Sequence, residues 1–379
     1  MKLRHVRIEN FKGLKHLDLP LVTEQGGDPR RLTCLLGDNG SGKTTALQAI
    51  ALTLSLATRR TRYPTEFRWH GFLPERVGSQ GPTFVELTVD LDQEEVDLTS
   101  ALFQDWYDAQ SSDWKQTHRV VEPSKLRQVR LVYENGRVSS PQGLAAVNQF
   151  LGRYYIKWLA RTTPAKKELF AQLGDVFWFD QYRNLGTAHT EREPENGTRR
   201  ELGELLGDLA REQESWGAGV EQLREYLVGW WTYYKFPPSN KGQGKHYIKD
   251  LERKFAAMFP GTQFRGTMPR EGVTAPSQKD FYFLLEREDR LYDLAEMSSG
   301  EQAVFSLLYD FVRLNITRSV VLIDELELHL HAPAQQALFA ALPRLGSDCQ
   351  FFITTHSEFL TGIIPDEQEV RIQGGHRCL

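Results

Sequence analysis

The chain has 379 residues, 40% of them hydrophobic and 25% charged, which is enough for two or three lobes and a sizeable core. A net charge of −4 gives the whole molecule no polyanion-binding character, so any nucleic-acid surface has to be a local basic face. Cys34, Cys349 and Cys378 are far apart and lack CxxC spacing, so they read as free thiols of a reducing compartment. The start, MKLRHVRIENFKG, has no apolar signal core, and no stretch reaches the roughly 18 apolar residues that span a bilayer. The expectation is a cytoplasmic protein with no membrane partner.

Residues 2–11 alternate, with Leu3, Val6 and Ile8 among charged neighbours, which predicts an edge or hairpin strand. Residues 31–36 predict a second strand that runs into GDNGSGKTT, and a helix follows from Thr44 to about Ala57. Residues 84–91 (FVELTVDL) read as a half-buried strand, and 129–138 carry the hairpin signal Asn135-Gly136. Together they suggest an antiparallel lobe inserted after that helix.

Helical patterns cover 144–160, then run from Arg199 to about Phe236 with a break near Trp216-Gly217. The stretch 237–245 (PPSNKGQGK) reads as a flexible linker. Ile248, Leu251, Phe255 and Phe259 recur at helical spacing, and 281–285 reads as a short apolar strand. After Ser298 the order is helix, apolar strand 319–323, helix, apolar strand 350–354, and a last helix and strand. Continuous apolar strands alternating with helices predict a buried parallel sheet, so the two chain ends build one α/β nucleotide-binding core. The expected division is 1–140 for the N-terminal half of the core with the antiparallel lobe, 141–245 for a helical insertion, and 246–379 for the C-terminal half.

The candidate nucleotide ligands begin with Gly37, Asn39, Gly40, Ser41, Gly42, Lys43, Thr44 and Thr45. A triphosphate needs many donors at short range, and glycines let backbone N–H groups wrap it while a helix N-terminus points its positive end at the charge. Lys43 would reach the β- and γ-phosphates and Thr44 would hold Mg²⁺. The pattern GxxxxGK[ST] should arise by chance in about one chain of this length in a hundred, and it sits between a predicted strand and a predicted helix, as the mechanism demands. At 319–325, SVVLIDE, an apolar strand delivers Asp324 and Glu325 at its C-terminal end. Asp324 suits Mg²⁺, and Glu325 suits a general base for the attacking water.

Met297-Ser298-Ser299-Gly300-Glu301-Gln302 opens a predicted helix. It reads either as a second anion cradle or as a plain N-cap with Glu301 in the first turn. The order of P-loop, MSSGEQ, the Asp324-Glu325 strand and Thr354-Thr355-His356-Ser357 resembles the ABC ATPases of the SMC, RecF and OLD branch, similar to defence-system ATPases of Septu, PARIS and retron operons. The resemblance implies an ABC-type P-loop core with an antiparallel β lobe and an inserted helical lid or arm. It implies that Ser298, Ser299, Gly300 and Glu301 of one protomer cap ATP held by the P-loop of another. It also implies that His356 is a switch histidine at the γ-phosphate. One nucleotide cannot easily sit on two helix N-termini of one core, whereas two head-to-tail copies give two equivalent sites.

Gln181, in FWFDQYR, is the candidate Q-loop glutamine and a third metal-site residue, with a surface turn as the other reading. Lys12 and Arg59 lie where related ATPases carry basic residues near phosphate or base, or are simply solvated. The run 326–333 (LELHLHAP) resembles the DEPELHLHP stretch of the OLD-like branch, but Leu326 stands where proline is usual and Pro333 comes one residue late. His329 and His331 invite a metal reading; three or four clustered ligands are the norm for zinc, so a structural or interface role is expected.

The helical insert is too short and interrupted for SMC-type heptad arms. The roughly two dozen residues after His356 leave no room for the nuclease domain of OLD proteins, so no second chemistry is expected. Two biological readings follow. One is a homodimeric or larger ATPase that controls a separate nuclease or toxin in a bacterial anti-phage system. The other is a DNA-repair ATPase that clamps DNA, for which Arg59, Arg60, Arg62, Arg199 and Arg200 would line a basic groove. A third reading is an ATP-gated scaffold with little turnover. The aromatics Trp230, Trp231, Tyr233, Tyr234 and Phe236 are read as core packing or as a partner anchor.

Overall fold

Alternation at the N-terminus becomes a hairpin in the computed structural model, which describes residues 1–23, 27–181, 219–237, 246–272, 274, 277 and 280–372. In chain order the strands are β1 (Lys2–Phe11), β2 (Leu14–Pro20), β3 (Leu32–Leu36), β4 (Phe84–Asp90), β5 (Gln128–Glu134), β6 (Arg137–Ser139) and β7 (Val176–Phe179). They continue as β8 (Gln263–Pro269), β9 (Phe281–Arg287), β10 (Arg290–Asp293), β11 (Val320–Ile323), β12 (Gln350–Thr354) and β13 (Glu369–Arg371). The predicted helix over 199–218, with the Trp216-Gly217 break and Arg199-Arg200, the linker residues 238–245 and Cys378 lie outside the described residues.

The chain divides into two compact units. The first holds Met1–Gln181, Ile316–Leu326 and Gly346–Leu379. It contains a parallel sheet in the order β13-β3-β12-β11-β7 and an antiparallel sheet in the order β2-β1-β4-β5-β6. All four pairings of the parallel sheet run in one direction, and β3, β11 and β12 are buried at every position. Such strands, apolar on both faces, are what a helix-covered parallel sheet requires. The first unit is therefore of the α/β class, with the glycine-rich loop between β3 and the helix Lys43–Ala57.

β1 pairs with β2 on one side and β4 on the other, so it forms the expected hairpin but is not an edge. Leu3, Val6 and Ile8 are fully buried, which is why the alternation seats an inner strand facing the core. Asn135 (φ 52°) and Gly136 (φ 77°) turn β5 into β6 in the left-handed region, as Asn-Gly hairpins do. The helix Lys43–Ala57 is buried on nearly all sides.

The predicted helix 144–160 is two pieces, Leu144–Asn148 and Gly152–Leu159. Gly152 lies so close to a neighbouring helix that a Cβ there would meet Thr99 Oγ1 at 2.7 Å. Phe150 and Leu151 turn into the core at the break.

At the start of β7, Asp175 is buried against Arg60 Nη1 at 2.9 Å and Arg153 Nε at 3.4 Å. Burial pushes its pKa up, but Arg60, Arg153, Lys157 and the Val176 N–H outweigh that and hold the carboxyl below its ordinary range. Arg60 is thus a structural residue of the core and unavailable to a basic groove.

The second unit holds Tyr182–Asn315 and Glu327–Leu345. Its described elements are the sheet β10-β9-β8 and the helices Gly219–Lys235, Tyr247–Met258, Ser299–Arg313 and Ala332–Leu345. Ile248, Leu251 and Phe255 are buried at their predicted helical spacing, with Phe255 edge-on to Phe305. No helix among the described residues is long and apolar enough to cross a membrane.

Candidate functional site

Leaving β3 at Leu36, the chain makes a tight loop that only glycine can follow. Gly37, Gly40 and Gly42 have φ of 150°, 78° and 103°. A Cβ on Gly37 would lie 2.5 Å from the Ile372 carbonyl oxygen and 2.9 Å from Ser41 Oγ, so the loop is also closely packed. Asn39 and Gly40 are exposed at its tip, and Thr45 is half-buried behind it. Ser41 is buried, and its Oγ has no hydrogen-bond partner. A buried unpartnered hydroxyl costs about 1–3 kcal/mol. Such a donor beside loop amides at a helix N-terminus fits a phosphate oxygen.

Lys43, 5% exposed, folds back so that Nζ donates to the carbonyls of Gly37 and Asp38, both at 2.9 Å. Its ammonium is therefore held over the loop.

Thr44 and Asp324 come from motifs 280 residues apart and meet directly: Thr44 Oγ1 donates to Asp324 Oδ1 at 2.9 Å and Oδ2 at 3.0 Å. A hydroxyl and a carboxylate at one point are hard oxygen ligands of the kind Mg²⁺ takes alongside phosphate and water. The Asp324 side chain also accepts from Thr354 Oγ1 at 2.7 Å, and its N–H donates to the Phe179 carbonyl at 2.8 Å.

Glu325 sits at φ 48°, an unfavourable region for a residue with a Cβ. Thr354 holds it there: its Oγ1 accepts the Glu325 N–H at 2.8 Å, and its carbonyl accepts the Leu326 N–H at 3.1 Å. Thr354 links both carboxylate positions, a role that the run Thr354-Thr355-His356-Ser357 did not give it in sequence. The available signal was a hydroxyl ending the apolar strand beside β11.

Gln181 and His356 arrive at the same edge of this sheet. β7 pairs with β11, with Phe179 opposite Ile323, and Gln181 follows two residues later, half-buried. His356 follows β12 by two residues and is exposed. Lys12 Nζ donates to Gln48 Oε1 on the P-loop helix at 2.9 Å, and burial pulls its pKa down. Arg59 is exposed, with its guanidinium 5.3 Å from the Tyr154 ring centre.

In the second unit, Ser298 caps the helix Ser299–Arg313. Its Oγ accepts the Glu301 N–H, while Glu301 Oε2 accepts the Ser298 N–H at 3.0 Å. The plain N-cap is thus real, and it leaves Ser298 and Ser299 exposed at the positive end of the helix. Glu301 is buried and paired with Arg287 Nη1 at 2.7 Å. Gly300 admits the His329 carbonyl: a Cβ there would stand 2.8 Å from that oxygen. His329 and His331 are exposed, and His329 has φ 67°. Among the described residues, no group of three or more His, Cys, Asp and Glu is placed to hold a metal ion.

Trp230 stacks between Tyr247 and Tyr309, with ring centres 5.2 and 5.1 Å away, and Trp231 packs edge-on to Phe283. These two are packing residues; Tyr233 (47% exposed) and Phe236 (79%) face outward.

Residues 1–105 match the family described as "AAA ATPase domain", and 189–361 match "AAA domain, putative AbiEii toxin, Type IV TA system". A DNA replication and repair protein RecF from Rhizobium leguminosarum bv. trifolii (strain WSM2304) is 24% identical over 90% of this chain and 90% of its own length. The Retron Ec83 probable ATPase of Escherichia coli is 27% identical over 25% of this chain and 19% of its own. Among solved structures, an SMC head bound to the C-terminal winged-helix domain of ScpA has a TM-score of 0.46 at 13% identity, covering 96% of this chain and 91% of that one.

Proposed function

Because the chain belongs to the ABC-class ATPases of the SMC, RecF and OLD branch, we propose that it hydrolyses ATP with Mg²⁺ in a head-to-tail dimer. The observation that carries the hydrolytic half is the direct meeting of Thr44, Asp324 and Thr354 beside a P-loop with an unpartnered buried hydroxyl. Thr44 and Asp324 would hold Mg²⁺, whose charge offsets that of the β- and γ-phosphate oxygens. Loop amides and Ser41 bind the phosphates, and Lys43 turns from the Gly37 and Asp38 carbonyls to the β- and γ-oxygens. Glu325 takes the proton of the attacking water, with His356 and Gln181 bordering the same space.

The dimer rests on a separate observation. Ser298 and Ser299 stand exposed at a helix N-terminus, a second anion cradle for which the protomer that carries it already has a complete P-loop. Two copies, each offering its cradle to the other's ATP, form a closed pair.

For the biological role we favour a control subunit that governs a separate nuclease or toxin in anti-phage defence. The retron ATPase similarity and the toxin–antitoxin family description support it. A DNA-clamping repair ATPase is the second reading, favoured by RecF similarity along nine-tenths of both chains. DNA that raises the ATPase rate with no other protein present would favour the clamp; a rate that responds only to a partner protein would favour the control subunit.

Glu325→Gln tests the whole reading. The variant should bind ATP, lose hydrolysis by at least about a hundredfold, and run as a dimer in size-exclusion chromatography with ATP and Mg²⁺. Wild-type turnover would remove Glu325 as the base, and a monomer with bound ATP would remove the dimer.

A further inference from the structure

Five residues ahead of Ser298, Asp293 is almost fully buried and collects hydrogen bonds from three directions. Arg224 Nη2, on the helix Gly219–Lys235, donates to Oδ1 at 2.5 Å, and the Ala295 N–H donates to the same oxygen at 3.0 Å. The Phe283 N–H, in the middle sheet strand β9, donates to Oδ2 at 2.9 Å. The Asp293 N–H is in turn accepted by Glu296, closing a capping box over the turn Leu294–Glu296. Arg224 is 3% exposed, so a sheet strand, a helix and the turn leading to the Ser298 cap converge on one dry ion pair.

We infer that Arg224 and Asp293 are positioning residues for ATP bound by the partner protomer, acting through the segment 294–298 to fix where the Ser298–Gly300 helix end points. This rests on the composite-site reading above. A buried ion pair is a poor way to gain stability, because its desolvation offsets most of its attraction. It is a good way to fix geometry, because both carboxylate oxygens and the guanidinium are directional. The remaining residues of the turn offer no such anchor: Ala295 and Glu296 are exposed, and only Leu294 and Met297 are buried. Without the pair, the turn keeps the pairing of β10 with β9 and the Gln302 contact to the Met297 carbonyl at 3.1 Å. It loses the ion pair to the helix 219–235 and the Phe283 bond, so the exposed cap gains freedom to shift by the fraction of an ångström that matters to a phosphate contact.

The test uses the full chain in mixed dimers. Arg224→Gln should bind ATP within about twofold of wild type, since the P-loop belongs to the other unit, while kcat falls at least about tenfold with little change in KM. Mixed with Lys43→Ala protein it should regain activity, because one of the two sites then has an intact P-loop and an intact cap. Mixed with Ser298→Arg it should not, because every cap is damaged. Failure of Arg224→Gln to complement Lys43→Ala, in a preparation where Ser298→Arg does, overturns this inference alone. Failure of Ser298→Arg as well overturns the composite site and the inference with it.

A second variant separates positioning from stability. Arg224→Met combined with Asp293→Asn leaves no uncompensated buried charge, and should melt within about 3 °C of wild type while kcat stays low. A return of kcat together with the melting temperature would reduce the pair to a stabilising contact and overturn the inference.

Discussion

In the first unit the residues proposed to meet ATP are tied to one another, whereas in the second they are tied to their own scaffold. Thr44, Asp324, Thr354 and Glu325 form one connected set of hydrogen bonds of 2.7–3.0 Å, drawn from the helix Lys43–Ala57 and the neighbouring strands β11 and β12. Ser298 and Glu301 bond to each other and, through Arg287, to β9. The first arrangement brings chemistry to a point inside one molecule; the second presents an outward-facing surface and keeps it still. A site split this way should separate under mutation into defects of binding and defects of turnover.

The largest effect should come from Lys43→Ala. Two carbonyl contacts and an ammonium held over the loop disappear, and charge-assisted bonds contribute about 1.5–3 kcal/mol each. ATP affinity should fall by at least about a hundredfold, measured by titration with a fluorescent ATP analogue. Retained affinity would mean that the backbone amides alone hold the nucleotide.

Gly300→Ala probes the other side and should leave binding alone. In an open helix this change would stabilise by about 1 kcal/mol, since alanine is the better helix former. The new methyl would meet the His329 carbonyl at 2.8 Å, and overpacking of that kind costs about 1–3 kcal/mol. The clash wins, so turnover should drop about tenfold while ATP affinity holds. An unchanged kcat would mean that the Ser298 cap tolerates displacement, which would weaken the contrast between the two regions.

The ease with which each part could be read from sequence follows the same division. Local structure confined to a short run of residues was legible: the strand, glycine loop and helix around GDNGSGKTT, the apolar strand ending at Asp324-Glu325, and the hairpin at Asn135-Gly136. The parallel sheet was legible because strands buried on both faces carry unbroken apolar runs. Contacts made across the sequence were not. Thr354 is an ordinary strand-end threonine until β12 is known to lie beside β11. Arg60 looked like a surface cation within a basic run, and Asp175, 115 residues away, with the rings of Phe177 and Trp178, explains why its guanidinium is covered. The helix Gln93–Asp108 announced itself by an Asp92–Glu95 capping box, but the strands on either side drew attention to an antiparallel lobe. Gln181 had two readings in sequence, a metal-site glutamine or a surface turn, because what matters is that its strand β7 lies beside β11, a pairing made 144 residues along the chain.

The smallest predicted effect bears on the connected half. Thr354→Val keeps the shape of the side chain and removes one oxygen. That oxygen accepts the Glu325 N–H and donates to Asp324, so the change strands a donor and removes a side-chain hold on a residue at φ 48°. A stranded buried partner costs about 1–3 kcal/mol, but the Leu326 N–H remains on the Thr354 carbonyl, and the parallel pairing of β11 with β12 is untouched. Glu325 should therefore lose aim more than the strand loses place. The expected outcome is a kcat lowered about three- to tenfold with KM for ATP within about twofold of wild type. A raised KM with normal kcat would show instead that Thr354 acts on nucleotide binding through Asp324 and Thr44, and would shift the weight of this network from the base to the metal site.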